Sequence, residues 1–395
     1  MTIISTRALA AVSLCALMST AAFAPALAQT DETQPATEVA PAGEGMKPGE
    51  AMESGDAMDS SETTPQDMAA SDDSGTMERA DDDMKTVLAK LMELGAKPID
   101  TLTVEKARSQ PTPADAVKAV LEEKGESSEP MPVADTRDIA IPGEGGDIPA
   151  RVYIPEGEGP FPVIVYYHGG GWVIANLDVY DATPRAMVDQ TGAIVVSSHY
   201  RQGPENKFPA AHDDAVAAYK WVVENAGEFN GDSSRIAVMG ESAGGGLAAH
   251  VAIQAREQAL NQPLHMALVY PIAGTDTNTE SYQENAKAMP LSKGAMEWFF
   301  DKYLTEGDMN DPRVNLVEAD LADLPPATIV TAEIDPLRSE GQMLAEKLTA
   351  AGVEAEARNF EGSTHEFFGM AAVVADAEEA QSFVAGRLKT ALGGM

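Results

Sequence analysis

Beyond residue 160 the chain alternates short runs of Val, Ile and Ala with longer stretches in which apolar residues recur every three or four positions, a pattern that predicts strands separated by helices. Strands are expected at 163–167, 193–199, 236–239, 266–270, 327–331 and 354–360, and helices around 213–226, 243–258, 336–351 and 375–392. Strands that are apolar at nearly every position must be covered on both faces. The pattern therefore points to an α/β protein with a mostly parallel central sheet and helices on both sides. Ahead of it, 136–141 and 148–154 alternate apolar and polar residues around a turn from Gly143 to Asp147, which predicts an antiparallel hairpin at the sheet's edge. Earlier still, 84–94 and 103–121 read as helices. Val87, Leu88 and Leu91 share one face, and Thr103 and Thr112 mark helix starts. Short helices in front of a sheet often form a lid.

The N-terminus breaks this pattern. Residues 8–24 form an apolar run too short to span a bilayer, preceded by Arg7 and followed by small residues at Ala26 and Ala28. That predicts a signal peptide over 1–28 and a secreted or periplasmic protein. The one cysteine, Cys15, lies inside it, so the mature chain has neither disulfide nor thiol chemistry. Residues 29–84 are rich in Asp, Glu, Pro, Ser and Met, contain almost nothing that builds a core, and are expected to be disordered. The methionines scattered there read as spacer rather than soft metal ligands, since no His or Cys joins them. The folded domain is then expected over 85–395. A formal net charge of −36 argues against nucleic acid and anionic membrane as partners, and membrane insertion is not expected.

Chemistry concentrates at strand ends, where open α/β sheets bind ligands. Gly240-Glu241-Ser242-Ala243-Gly244 falls between a strand and a small-residue helix, the arrangement of a nucleophile elbow. A tight turn there holds the serine hydroxyl up beside the free N–H groups that open the helix. Taken alone, the same five residues fit an ordinary glycine-rich turn. After 163–167 comes His168-Gly169-Gly170-Gly171-Trp172, whose unobstructed amides suit an oxyanion hole together with Ala243. After 327–331 come Glu333 and Asp335, and after 354–360 comes His365, so a serine, an acid and a histidine each follow their own strand. Asp335 is preferred over Glu333 because it sits deeper in its loop, before Pro336 and Leu337. His199, His212, His250 and His265 sit in or beside expected strands and helices and read as structural. Metal-assisted hydrolysis is the competing chemistry for two carboxylates and a histidine. No second histidine stands near His365 to support it, and neither metal nor cofactor is expected.

In these blocks, and in Tyr200 to Ala211 and Asp320 to Leu337, the chain from about Met84 onward resembles the bacterial hormone-sensitive-lipase-like esterases, family IV of the α/β-hydrolase superfamily. The resemblance implies Ser242, Asp335 and His365 as catalytic triad, and Gly169, Gly170 and Ala243 as oxyanion donors. It also implies a cap from about 85–130 and 272–309. The activity it implies is cleavage of small short- to medium-chain carboxylic esters. An amidase or deacetylase with the same triad, or a ligand-binding protein on the same fold, are the alternatives. Within the cap, Met289, Met296, Trp298, Phe299 and Phe300 are apolar and closely spaced, and Trp172 flanks the glycine loop. Trp172, Met289, Trp298 and Phe299 are accordingly taken as substrate-binding candidates. Two departures from the family pattern stand out: Glu241 occupies the place usually held by Asp, and Gln202-Gly203 replaces the usual Leu-Ala. The oligomeric state is left open, a homodimer being one option.

Overall fold

The computed structural model describes residues 75–393; the expected signal peptide and the stretch 29–74 lie outside the described residues. Four helices come first: α1 (Thr76–Arg79), α2 (Asp82–Glu93), α3 (Val104–Ser109) and α4 (Pro113–Lys124). The strands are β1 (Asp135–Ile141), β2 (Ile148–Ile154), β3 (Phe161–Tyr167), β4 (Ile194–Ser198), β5 (Gly231–Glu241), β6 (Met266–Val269), β7 (Ala327–Ile334) and β8 (Ala355–Thr364). Between and after them run α5 (Ala182–Thr191), α6 (Ala210–Asn225), α7 (Ala243–Glu257), α8 (Glu280–Glu284), α9 (Lys293–Tyr303), α10 (Arg338–Ala350) and α11 (Ala375–Ala391). Among the described residues no helix is long and apolar enough to cross a membrane.

The eight strands form one sheet in the order β1-β2-β4-β3-β5-β6-β7-β8. β2 pairs antiparallel with both β1 and β4, and every pairing from β4 to β8 is parallel. The chain steps from β3 outward to β4, then returns to the other side of β3 as β5. This reversal opens a crevice at the carboxyl ends of β3 and β5, the place where such sheets bind ligands. Both faces are packed. Along β3, Val163, Val165 and Tyr167 enter one core with α6 and α7, while Ile164 and Tyr166 enter the other with α5 and α11. That is the two-residue period of a strand buried on both sides.

Two expectations need correction. Residues 75–84 are ordered. α1 forms there, Met84 is fully buried, the Asp81 N–H donates to the Gly362 carbonyl (3.0 Å), and Arg79 donates to Asn285 Oδ1 (2.8 Å). An acidic segment poor in apolar residues orders here because its few apolar groups pack on a core that the rest of the chain provides, Ala80 and Met84 within it and Met77 against it. The second correction is α5, which the alternation pattern did not predict. Its ten residues carry Pro184 and several polar groups, so its periodicity is weak, yet it is held between β4 and α11. The stretch 103–121 is also divided: prolines at 111 and 113 end α3 and open α4, where Thr112 and Asp115 form a reciprocal cap.

Candidate active site

Ser242 stands between the last residue of β5 and the first of α7, with φ 55° and ψ −119°. A non-glycine residue is strained there by about 1–3 kcal/mol, so the surroundings must hold it. They do so by close approach. A Cβ on Gly240 would lie 2.1 Å from the Gly244 carbonyl oxygen, and one on Gly244 would lie 1.9 Å from that of Tyr167. Glycine at both positions lets α7 start against β3. The Ser242 N–H donates to the Val269 carbonyl (2.9 Å), and its own carbonyl accepts from Ile272 (3.0 Å) and Gly246 (3.2 Å).

β7 and β8 bring the other two residues together. Their pairing continues past an irregularity to Ile334 opposite Thr364, so the next residue on each chain, Asp335 and His365, emerges beside the other. His365 Nδ1 lies 2.7 Å from Asp335 Oδ2, and His365 Nε2 lies 3.0 Å from Ser242 Oγ. The other Asp335 oxygen accepts the Leu337 N–H (2.8 Å), which fixes the carboxylate plane. All three side chains are buried. Burial by itself pulls the imidazole down, but the charges of Asp335, Glu366 and Glu241 and the Asp335 hydrogen bond outweigh it and leave His365 above its ordinary value. Glu333, the rival acid, points elsewhere: it accepts the Gly362 N–H (2.8 Å) and Arg79 (3.3 Å), and these partners hold it below the usual range.

A cavity of about 1590 Å³ opens onto Ser242 and His365. Gly170 and Gly171 line it, whereas Gly169 does not: a Cβ on Gly169 would meet the Tyr180 hydroxyl and the Glu241 carbonyl. Gly170, Gly171 and Trp172 all take positive φ and turn the loop, so that Gly170 and Gly171 border the cavity. Their N–H groups donate to no acceptor among the described residues, and Ala243, opening α7, has no intrahelical acceptor. Met289 and Phe299 line the cavity, with Met296 three residues before Phe299 on the same face of α9. Trp172 and Trp298 do not. The positive-φ turn sends Trp172 back into the core, where it is 1% exposed and stacks on Tyr303 (5.0 Å between centroids). Trp298 precedes Phe299 by one residue, about 100° around the helix, and packs edge-on against it under Lys302. Leu88, Leu91 and Ile99 from the N-terminal segment also line the cavity, so both proposed cap segments contribute to its wall.

Two carboxylates next to the triad carry more weight than their motif positions suggest. Glu241 continues the β5 face that holds Ala237 and Met239, and there it accepts hydrogen bonds from Tyr166 (2.6 Å) and Tyr270 (2.5 Å). Tyr270 in turn packs against the His365 ring at 4.6 Å. Burial pushes the Glu241 carboxyl up to about 7 despite these donors. Glu366 adopts the left-handed conformation at φ 70° and lines the cavity beside His365, and burial raises its carboxyl too. Only its adjacency to His365 signalled Glu366 in the sequence; the backbone angle that aims it was not legible. Of the histidines read as structural, His212, His250 and His265 are buried and held well below their ordinary value by burial. His199 differs in part. It lines the cavity while its Nδ1 lies 2.9 Å from His168 Nε2.

Known proteins share this arrangement of strands and sequence. A family model described as alpha/beta hydrolase fold matches residues 164–369. Carboxylesterase NlhH of Mycobacterium tuberculosis is 44% identical over 252 residues, covering 62% of this chain and 79% of that protein. Ethyl acetate hydrolase of Pseudomonas putida is 32% identical over 292 residues, 71% of this chain and 88% of the relative. Among solved structures, a hyperthermophilic esterase from Pyrobaculum calidifontis superposes with a TM-score of 0.70 at 35% identity, covering 77% of this chain and 96% of the other.

Proposed function

The chain belongs to the hormone-sensitive-lipase-like family of the α/β-hydrolase fold and is an ester-hydrolysing enzyme; from that premise we propose that it cleaves short- to medium-chain carboxylic esters through an acyl-enzyme on Ser242. The observation that carries this reading is the unbroken line from Ser242 Oγ through His365 to Asp335, at 3.0 and 2.7 Å. His365 takes the serine proton as Oγ attacks the ester carbonyl carbon, then delivers it to the departing alcohol. Asp335 holds the imidazole tautomer and offsets the charge that forms on the ring. The amides of Gly170, Gly171 and Ala243 receive the carbonyl oxygen as it gains charge, each such donor contributing on the order of 3 kcal/mol. Water then enters from the side the alcohol left and releases the acid. Met289, Met296 and Phe299 supply apolar wall for an acyl or alkyl chain, and the cavity exceeds what an acetate ester fills.

Hydrolysis of a chain-length series of chromogenic esters by wild type and Ser242→Ala tests this. Loss of the nucleophile lowers turnover by about 10⁶-fold; an alanine variant near the wild-type rate sinks the mechanism. A series with a single maximum at acetate would refute the chain-length assignment while leaving the triad standing. The apolar leader at residues 8–24 supports export of the enzyme. A mature N-terminus at Gln29 is the expected result of sequencing the exported protein, and an uncleaved Met1 would overturn it.

A further inference from the structure

The acyl-enzyme route gives no part to the cavity-lining carboxylate nearest the catalytic histidine. Glu366 follows the histidine directly, and its side chain is 22% accessible, with Oε1 3.8 Å from His365 Nε2. Nε2 is the nitrogen that faces Ser242. The Tyr180 hydroxyl lies 2.7 Å from both Glu366 oxygens, and Tyr180 is itself lodged beneath Gly169. The carboxylate is therefore anchored at the edge of the glycine loop, on the side of the nucleophile where the cavity lies. Its backbone is at φ 70°, where an L side chain is disfavoured and glycine is relaxed. A carboxylate kept in a strained conformation, partly desolvated and beside a reacting nitrogen, calls for a chemical role.

We propose that Glu366 orients the hydrolytic water in the second half of the reaction. The inference rests on the acyl-enzyme reading above. A water oxygen lies at an ordinary hydrogen-bond distance of about 2.8 Å from two atoms 3.8 Å apart, so one molecule reaches His365 Nε2 and Glu366 Oε1 together. One of its protons passes to Nε2 as its oxygen forms a bond to the acyl carbon, and the carbonyl electron pair moves onto the oxygen held by the glycine amides. The tetrahedral adduct then collapses. The bond from carbon to Ser242 Oγ breaks, and the imidazolium returns its proton to Oγ. The second water proton stays on the product acid throughout, donated as a hydrogen bond to Glu366, which itself gains and loses no proton. Glu366 thus fixes the direction of the attacking lone pair, and its effect falls on deacylation.

An alcohol taking the place of water has one hydroxyl proton, which goes to Nε2, and none left for Glu366. Partition of the acyl-enzyme between water and added methanol therefore reports on this contact and is independent of the acylation rate. Wild type, Glu366→Gly and Glu366→Gln are compared with a chromogenic butyrate ester in buffered methanol, and butyrate and methyl butyrate are quantified. Glycine relieves the backbone at φ 70°, so that variant keeps the fold, checked by its melting temperature. The expected result is a shift toward methyl butyrate of about tenfold or more in Glu366→Gly, the scale of a lost charge-assisted hydrogen bond. Glu366→Gln, which keeps an uncharged acceptor, should fall between it and wild type. An unchanged partition in both variants, even with a lower overall rate, overturns the proposal. If wild type forms no methyl butyrate and shows no burst of chromophore, the acyl-enzyme reading itself fails, an outcome distinct from unchanged partition.

Discussion

Replacing Glu241 with Gln should change how the stability of this protein depends on pH, in a direction that the structure determines. The Glu241 carboxyl is buried and is pushed from 4.5 up to about 7, first by burial and then by the nearby Glu366 charge, against the pull of Tyr166 and Tyr270. Below pH 4.5 the group is protonated in both folded and unfolded chains and has no effect on the balance. As pH rises from 4.5 to 7 the unfolded chain ionises while the folded chain resists, so stability is lost across that window and the loss is complete above it. The displacement corresponds to about 3 kcal/mol. Gln has nearly the same shape and no ionisation. Its amide obliges one tyrosine hydroxyl to turn and accept, a cost of about 1 kcal/mol that does not vary with pH. Glu340, buried and raised to about 8, acts in the same direction but is present in both proteins and cancels in the comparison. Urea unfolding of wild type and Glu241→Gln at pH 5 and pH 8 measures the effect. The stability difference should move in the variant's favour by about 2–3 kcal/mol between the two pH values. Parallel pH dependence in the two proteins would refute the assignment of a buried, late-ionising carboxyl to this position.

Asp335→Asn should fold normally and lose about 10⁴ in kcat, because the amide favours the wrong imidazole tautomer; steady-state kinetics showing less than a tenfold loss would contradict the role given to Asp335. Gly244→Ala places a methyl 1.9 Å from the Tyr167 carbonyl oxygen and 2.5 Å from that of His168, both backbone atoms. It should cost about 3 kcal/mol or more, read as a lowered denaturant midpoint or loss of soluble protein. A chain beginning at residue 75 retains every residue of the site and should keep turnover within a few-fold. One beginning at residue 85 loses buried Met84 and the Arg79 contacts with Asn285 and Glu333, and should be less stable by about 2–5 kcal/mol on thermal unfolding.

Local pattern carried the strands and the chemistry of this chain a long way. The period of two along 148–154, the unbroken apolar run at 163–167 and the glycines around Ser242 each reflect a constraint that acts within a few residues, and all three recur in the structure at those places. The serine, histidine and acid were legible for the same reason: each follows its own strand, and parallel strands deliver their loops to one end. What sequence did not decide depends on contacts between segments far apart in the chain. Residues 75–84 lack the composition of a folded segment and become ordered only because β8 and the 285–289 region receive them. Trp172 looked like part of a pocket wall until three successive positive φ angles turned it into the core. The same dependence on backbone direction decides the carboxylates. Glu241 is five bonds of ordinary side chain until β5 aims it between Tyr166 and Tyr270, and Glu366 reaches the space beside His365 only through a left-handed residue that no spacing rule announces. Residue type and spacing therefore determined which reaction this chain performs. The tertiary structure alone determined which groups surround that reaction, because burial and the direction of a side chain are properties of the assembled fold.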